Sequence, residues 1–234
     1  MPQITFQLRE YQKNIVETAK NKNTLVILPT GLGKTKIAIS LAIERLNKFP
    51  DSKVLMCSPT KPLSNQIKNE FAESTNMDLT KIILLTGLIS PQKRVNLYKD
   101  AIVIVATPQT IAEDLKNNRL SFENFSLLVL DEAHKSRMKY ANTVVVKEYM
   151  KQSQFPRILA LTASPGSTKE KINEIKENLF IEAIEIRDEN SPDVKEYIQK
   201  KDIFFVEVEL PKEFQEIHSL LSEVYKKKFI QIKD

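Results

Sequence analysis

Glycine is scarce in this 234-residue chain, which contains only four. Where they fall therefore reads as a demand for backbone freedom. Cysteine is scarcer. The single Cys57 cannot form an internal disulfide, and its place in an apolar run predicts a buried packing residue rather than a reactive thiol. No apolar run approaches the roughly 20 residues a membrane span needs, so no membrane is expected among the partners. The N-terminus has no apolar signal core after a basic start, and the chain has no internal repeat or low-complexity stretch. The expectation is an intracellular, cytoplasmic protein. With 41% apolar and 28% charged residues, the composition is that of a soluble globular chain, long enough for one full α/β domain and an appendage.

Two of the four glycines fall in Leu28-Pro29-Thr30-Gly31-Leu32-Gly33-Lys34-Thr35, between a short apolar run and an amphipathic segment. That is the order strand, tight loop, helix. Such a loop aims successive backbone N–H groups at one spot, where the helix N-terminus adds partial positive charge. Lys34 would reach the β- and γ-phosphates of a nucleotide, and the Thr35 hydroxyl would ligate Mg²⁺. The generic phosphate-loop pattern wants glycine six residues before Lys34, where this chain has Leu28. The alternative is an ordinary strand-to-helix turn.

Charge is unevenly spread. From Asp188 onward there are 8 Lys and Arg against 11 Asp and Glu, a net of −3, which leaves 27 against 19, a net of +8, in the first 187 residues. The positive excess accompanies the phosphate loop and permits a polyanionic partner. The run Lys226-Lys227-Lys228 reads as a solvated helix face.

Runs rich in Val, Ile and Leu, without polar alternation, recur at 24–28, 53–57, 81–85, 101–106, 127–130, 157–161 and 183–187. They suit strands buried on both faces. Helical patterns lie between several of them, at 61–73, 107–116, 142–151 and 168–178, and another runs from about 8 to 20. The fold predicted is α/β: a parallel sheet flanked by helices, with ligands gathered at the C-terminal ends of the strands. Residues 1–187 form this unit, 188–210 a connecting segment with a β-like run at 202–210, and 211–234 a helix whose apolar face needs a partner.

The loops after the strands carry the polar residues. Asp131-Glu132 ends an apolar strand; paired acids there need a cation or a proton to handle. Asp131 would hold Mg²⁺ and Glu132 would orient and deprotonate a water. The alternative is a solvated pair at a helix start. His134 could bond across to the Thr162-Ala163-Ser164 loop. Thr60 and Thr107 stand where helices begin, with Pro108 at a first helical position. Lys61 adds charge, Gln66 and Gln109 add amide donors, and Thr86-Gly87 follows the third strand. Helix N-termini and hydroxyls bind phosphates well and bases poorly. Without an aromatic to stack on bases, these loops predict a track gripping a nucleic-acid backbone regardless of sequence. Gln12 could pair with the edge of adenine.

The strings Leu8-Arg9-Glu10-Tyr11-Gln12, Pro29-Thr30-Gly31-Leu32-Gly33-Lys34-Thr35, Pro59-Thr60-Lys61-Pro62-Leu63, Thr86-Gly87, Ala106-Thr107-Pro108-Gln109-Thr110, Asp131-Glu132-Ala133-His134 and Leu161-Thr162-Ala163-Ser164-Pro165-Gly166 together resemble superfamily-2 helicases. With Glu189-Asn190-Ser191-Pro192-Asp193-Val194, the set is similar to the N-terminal RecA-like lobe of archaeal Hef and its FANCM-type relatives, over essentially the whole chain. The resemblance also accounts for Leu28, because these helicases do not keep the first glycine. One departure is Met138-Lys139-Tyr140, where relatives show Gly, Asn and Tyr and only the tyrosine remains.

The resemblance implies that Arg9 and Gln12 read adenine and that Thr30, Gly31, Gly33, Lys34 and Thr35 hold the triphosphate of ATP. Asp131 and Glu132 would do metal and water chemistry, while Thr162 and Ser164 couple ATP state to DNA grip. It further implies a DNA-stimulated ATPase remodelling forked or branched DNA, with a second RecA-like lobe and a helical insertion of which 211–234 is the first helix. The arginines completing catalysis would come from the second lobe, and such a finger is worth about 10³–10⁵ in rate. The chain alone is therefore expected to bind ATP weakly and to hydrolyse it slowly or not at all. An RNA-directed ATPase of the RIG-I or Dicer type shares these loops, and a non-enzymatic clamp is the remaining alternative.

Overall fold

A computed structural model describes residues 1–135, 141–164, 169–198, 206, 208–209 and 211–233. Its first compact unit spans Met1–Ile198. The seven strands are β1 (Thr24–Ile27), β2 (Lys53–Cys57), β3 (Ile82–Leu85), β4 (Val103–Ala106), β5 (Phe125–Leu130), β6 (Ile158–Thr162) and β7 (Ala183–Ile186). The helices between them are α1 (Glu10–Asn21), α2 (Lys34–Lys48), α3 (Lys61–Glu73), α4 (Pro91–Asp100), α5 (Pro108–Lys116), α6 (Ala141–Gln152) and α7 (Lys169–Asn178).

All seven strands pair in parallel, in the order β3-β4-β2-β5-β6-β1-β7. Why the strand sequences lack polar alternation is now visible. Val26, Val54, Met56, Val103, Val105, Leu127, Val129, Leu159 and Leu161 face one core, while Leu25, Ile27, Leu55, Cys57, Ile104, Leu128, Leu130, Ile158 and Ala160 face the other. The first core is closed by Tyr11 and Ile15 of α1, Ile37 and Leu41 of α2 and Phe71 of α3. The second is closed by Tyr98 of α4, Ile111 of α5, Val145 and Tyr149 of α6 and Ile175 of α7. Side chains of period two, with helices on both sides, demand apolar residues at every strand position.

Helix starts follow their local chemistry. The Thr60 hydroxyl accepts from the Leu63 N–H at 3.5 Å, and Pro62 sits in the first turn of α3. Pro108 opens α5, where its missing N–H leaves nothing unsatisfied; the Thr107 hydroxyl meets that of Thr110 at 2.9 Å.

Two regions differ from the sequence expectation. Helix α4 was not anticipated, because the residues it turns inward are Arg94 and Tyr98 rather than an aliphatic stripe. The polar segment after β7 is not a bare linker: Arg187 Nε donates to Asp193 at 2.8 Å, Ser191 Oγ donates to Asp188 at 2.8 Å, and Val194 is fully buried in the first core. Cys57 is buried and free, as its apolar run implied.

The second unit, Gln199–Asp234, carries α8 (Lys212–Lys233), in the place of the helix expected from residue 211. Of the β-like run expected at 202–210, all but 206, 208 and 209 lies outside the described residues. The same holds for Met138-Lys139-Tyr140 and Pro165-Gly166. No described helix is long and apolar enough to cross a membrane.

Candidate nucleotide and nucleic-acid site

Strands β1, β6 and β5 are neighbours, so the loops that leave their C-terminal ends meet. The first is the glycine loop. Leu28 N–H donates to the Thr162 carbonyl at 3.0 Å, extending the β1–β6 ladder by one residue before the chain turns. Gly31 and Gly33 then adopt φ of 85° and 75°, a region that other residues enter at a cost of about 1–2 kcal/mol. Gly33 is also the N-cap of α2. The loop's apex is bolted to α1: Tyr11 Oη and Gln12 Nε2 both donate to the Leu32 carbonyl, at 2.7 and 3.2 Å. Gly33 lies so close that a Cβ there would stand 2.5 Å from Gln12 Nε2. Sequence reasoning assigned Tyr11 no role, although a buried tyrosine hydroxyl must find a partner somewhere.

Gln12 uses both ends of its amide, since Oε1 accepts from the Arg9 N–H at 3.0 Å while Nε2 holds Leu32. Arg9 Nη1 donates to Tyr11 Oη at 3.2 Å, and its guanidinium lies 4.6 Å from the ring centre of Tyr197. Arg9, Tyr11 and Gln12 thus form one patch against the glycine loop, and two of them, Arg9 and Gln12, are the residues expected at adenine.

Lys34, Asp131 and Glu132 are brought together. Lys34 Nζ donates to the carbonyls of Leu28 and Pro29 at 2.8 and 3.3 Å. Burial lowers its pKa, and the charges of Asp131 and Glu132 oppose that shift. Asp131 responds in kind: burial and the neighbouring Glu132 raise its pKa, while Ser58, whose Oγ is 3.3 Å from Oδ2, and the Lys34 charge pull it down. The Lys34 amine and the Asp131 carboxylate thus lie within electrostatic reach of each other. Thr30 and Gly31 are exposed and Thr35 lies partly exposed in the first turn of α2.

Beyond the acids runs a polar chain. Glu132, at φ 53°, turns its Oε2 to 3.1 Å from His134 Nδ1, which is also 3.0 Å from Thr162 Oγ1. The Thr162 hydroxyl donates to the Ser164 carbonyl at 2.9 Å and accepts from the Ser164 N–H at 3.2 Å. A hydroxyl has one proton to give, and Thr162 has given it. His134 must therefore carry its proton on Nδ1 and share it between Glu132 and Thr162.

Strands β2, β4 and β3 place the other polar loops side by side. Thr60, Lys61, Gln66, Gly87 and Gln109 are exposed, Thr107 is half-buried and Thr86 is buried. Gln66 lies in the middle of α3 rather than in a loop.

Among the described residues no group of three His, Cys, Asp or Glu could hold a metal by itself. Mg²⁺ uses one or two protein oxygens and completes its shell with substrate phosphates and water; Thr35, in the first turn of α2, and Asp131, just after β5, are the residues the sequence offered to it.

A family model described as DEAD/DEAH box helicase matches residues 9–172. The crystal structure of the Pyrococcus furiosus Hef helicase domain is similar at a TM-score of 0.82 and 48% identity, over 93% of this chain and 46% of that one. A Methanocaldococcus jannaschii protein, named provisionally as an ATP-dependent RNA helicase, is 42% identical over 98% of this chain and 29% of its own length. The ATP-dependent DNA helicase fml1 of Schizosaccharomyces pombe is 39% identical over 94% of this chain and 26% of its own length. The chain thus spans less than a third of these two curated relatives.

Proposed function

Because this chain belongs to the DEAD/DEAH box helicases, we propose that it forms the ATP-binding lobe of an ATP-dependent DNA helicase or translocase that acts on forked or branched DNA. The observation that carries the reading is a glycine loop, with Gly31 and Gly33 at positive φ and Lys34 opening α2, on the same sheet edge as the Asp131–Glu132 loop after β5.

In this reading the N–H groups of the glycine loop and the Lys34 amine bind the β- and γ-phosphates, Lys34 exchanging the Leu28 and Pro29 carbonyls for phosphate oxygens. Thr35 and Asp131 would hold Mg²⁺, which when bound would supply positive charge to the phosphates. Glu132 orients a water and takes its proton, held in aim by the shared Nδ1–H of His134. Arg9 and Gln12 address the adenine. The chain Glu132–His134–Thr162–Ser164 carries the state of the nucleotide toward the nucleic-acid loops. Thr60, Lys61, Gln66, Thr86, Gly87, Thr107 and Gln109 line a track for the sugar-phosphate backbone. A second RecA-like lobe supplies the arginines for full turnover.

The similarity to the DNA helicase fml1 favours DNA. The name of the Methanocaldococcus relative favours RNA, and backbone contacts serve either. Titration with a fluorescent ATP analogue, with and without Mg²⁺, tests the nucleotide site; no saturable Mg²⁺-dependent binding would refute it. Competition of forked DNA against duplex RNA for the chain decides the polymer, and a preference for RNA would replace the DNA reading.

A further inference from the structure

Beneath the candidate nucleic-acid loops lies an ion pair for which the nucleotide chemistry has no use. Arg94 of α4 and Asp114 of α5 have side chains only 2% and 0% exposed. The guanidinium meets the carboxylate in two parallel bonds, Nε to Oδ2 and Nη2 to Oδ1, each 2.6 Å. Tyr98 Oη donates to the same Oδ2 at 2.7 Å, and Arg119 Nη1 stands 3.3 Å from Oδ1. The third guanidinium donor leaves the pair: Nη1 of Arg94 donates to the backbone carbonyl of Ile89 at 2.5 Å.

Ile89 sits in the turn after β3, where its own N–H donates to the Thr86 carbonyl at 3.0 Å. Asp114 lies on the helix that has Thr107 at its N-cap position and Gln109 in its first turn. Strands β3 and β4 are paired, so both loops leave the same edge of the sheet. One buried cluster therefore ties the 86–89 turn to α5.

A buried pair of this kind is a poor stabiliser, because desolvation offsets the attraction, and apolar replacements of both partners are often neutral or better. What apolar residues cannot supply is direction. A planar fork locked on a carboxylate, with a spare donor fixed on a loop carbonyl, sets a distance and an angle.

Resting on the nucleic-acid reading above, we propose that Arg94 and Asp114 are positioning residues for a sugar-phosphate backbone, setting the spacing between the Thr86–Ile89 turn and the first turn of α5 so that one strand meets both. The pair touches no phosphate itself. It acts through the backbone of the two loops.

The test compares the wild-type chain with the double variant Arg94→Met, Asp114→Leu and with Arg94→Lys. Anisotropy of a fluorescein-labelled oligothymidylate reads the track, and a fluorescent ATP analogue reads the nucleotide site in the same samples. The double variant is expected to keep nucleotide affinity and melting temperature while oligothymidylate affinity falls about tenfold, within the usual range for linked sites. Its slope of log affinity against log salt should be shallower by about 0.7, one single-strand phosphate contact. Arg94→Lys, which keeps a charge but not the fork, should lose oligothymidylate affinity in the same direction. If the double variant does not fold, Arg94→Lys decides. Folded variants with unchanged oligothymidylate affinity and slope would overturn the inference while leaving the track intact. A wild-type chain that binds nucleotide but no oligothymidylate would overturn the track and the inference with it.

Discussion

His134 Nδ1 lies 3.0 Å from the Thr162 hydroxyl, so a single shared proton joins the acidic loop after β5 to the end of β6. The same proton faces Glu132 at 3.1 Å. In the proposed function, a movement of the Glu132 carboxylate toward a phosphate-bound water would be passed to Thr162 and, through two further bonds, to Ser164.

Replacing Thr162 with valine keeps a β-branched residue in the strand but deletes this junction. Nucleotide affinity should stay within about twofold, because Thr162 meets the glycine loop through its backbone carbonyl, which valine keeps. The mutual effect of nucleotide and nucleic acid on each other's binding, typically 5–150-fold in coupled systems, should shrink toward none. Oligothymidylate titrations with and without a non-hydrolysable ATP analogue measure it. Full coupling in Thr162→Val would mean that the signal takes another route.

The two loop glycines should respond differently to alanine. At Gly31 a Cβ would meet nothing within 4 Å, so the change costs only the strain of φ 85°, about 1–2 kcal/mol. At Gly33 the same strain is joined by a clash with Gln12 Nε2, which must leave Leu32 and loosen its grip on the N-cap of α1. Gly33→Ala should therefore lower both melting temperature and nucleotide affinity further than Gly31→Ala. Equal losses in the two variants would show that the α1 contact carries no weight.

Much of this was legible in the chain because the fold buries its sheet on both faces. Seven runs of Val, Ile and Leu can then be read without any alternation, and short polar loops between them stand out. Lys34, Asp131 and His134 were found that way. What escaped had its partner far off in sequence. Arg94 takes an inward helical position because Asp114 waits 20 residues later, so α4 shows no apolar stripe. Tyr11 needed the Leu32 carbonyl, 21 residues on, to explain its hydroxyl. The segment after Arg187 looked like a linker because its anchor is one buried residue, Val194, among polar neighbours.

Glu132→Gln separates binding from chemistry. The amide keeps size and hydrogen bonding but cannot accept the proton of water, so nucleotide affinity should be retained. Wherever turnover is measurable, it should fall by about 10²–10⁴, the usual worth of a positioned base. Lys34→Ala should do the reverse first, weakening nucleotide binding before any effect on turnover is seen. Normal turnover in Glu132→Gln would mean that another group takes the proton of water.

Part of the acid sensitivity of the fold should come from the Arg94–Asp114 pair. Burial alone would raise the Asp114 pKa, but bonds from Arg94 and Tyr98 and the Arg94 charge outweigh it and hold the carboxyl below the ordinary aspartate value. A carboxylate depressed in the folded state contributes stability that is complete above its unfolded pKa and is lost as pH falls through the folded one. Across that window the folded chain holds fewer protons at this site than the unfolded one, so stability drops by up to about 1.4 kcal/mol per pH unit. The double apolar variant lacks the group and should show a correspondingly shallower slope in urea unfolding between neutral pH and acid. Asp114→Asn should behave quite differently: it leaves the Arg94 guanidinium buried without its anion, so about 3–5 kcal/mol should be lost near neutral pH, and the gap to the wild type should narrow as acid protonates the Asp114 carboxylate. If the double variant and the wild type lose stability in parallel on acidification, the carboxylate is not depressed in solution and the pair is looser than its 2.6 Å bonds imply.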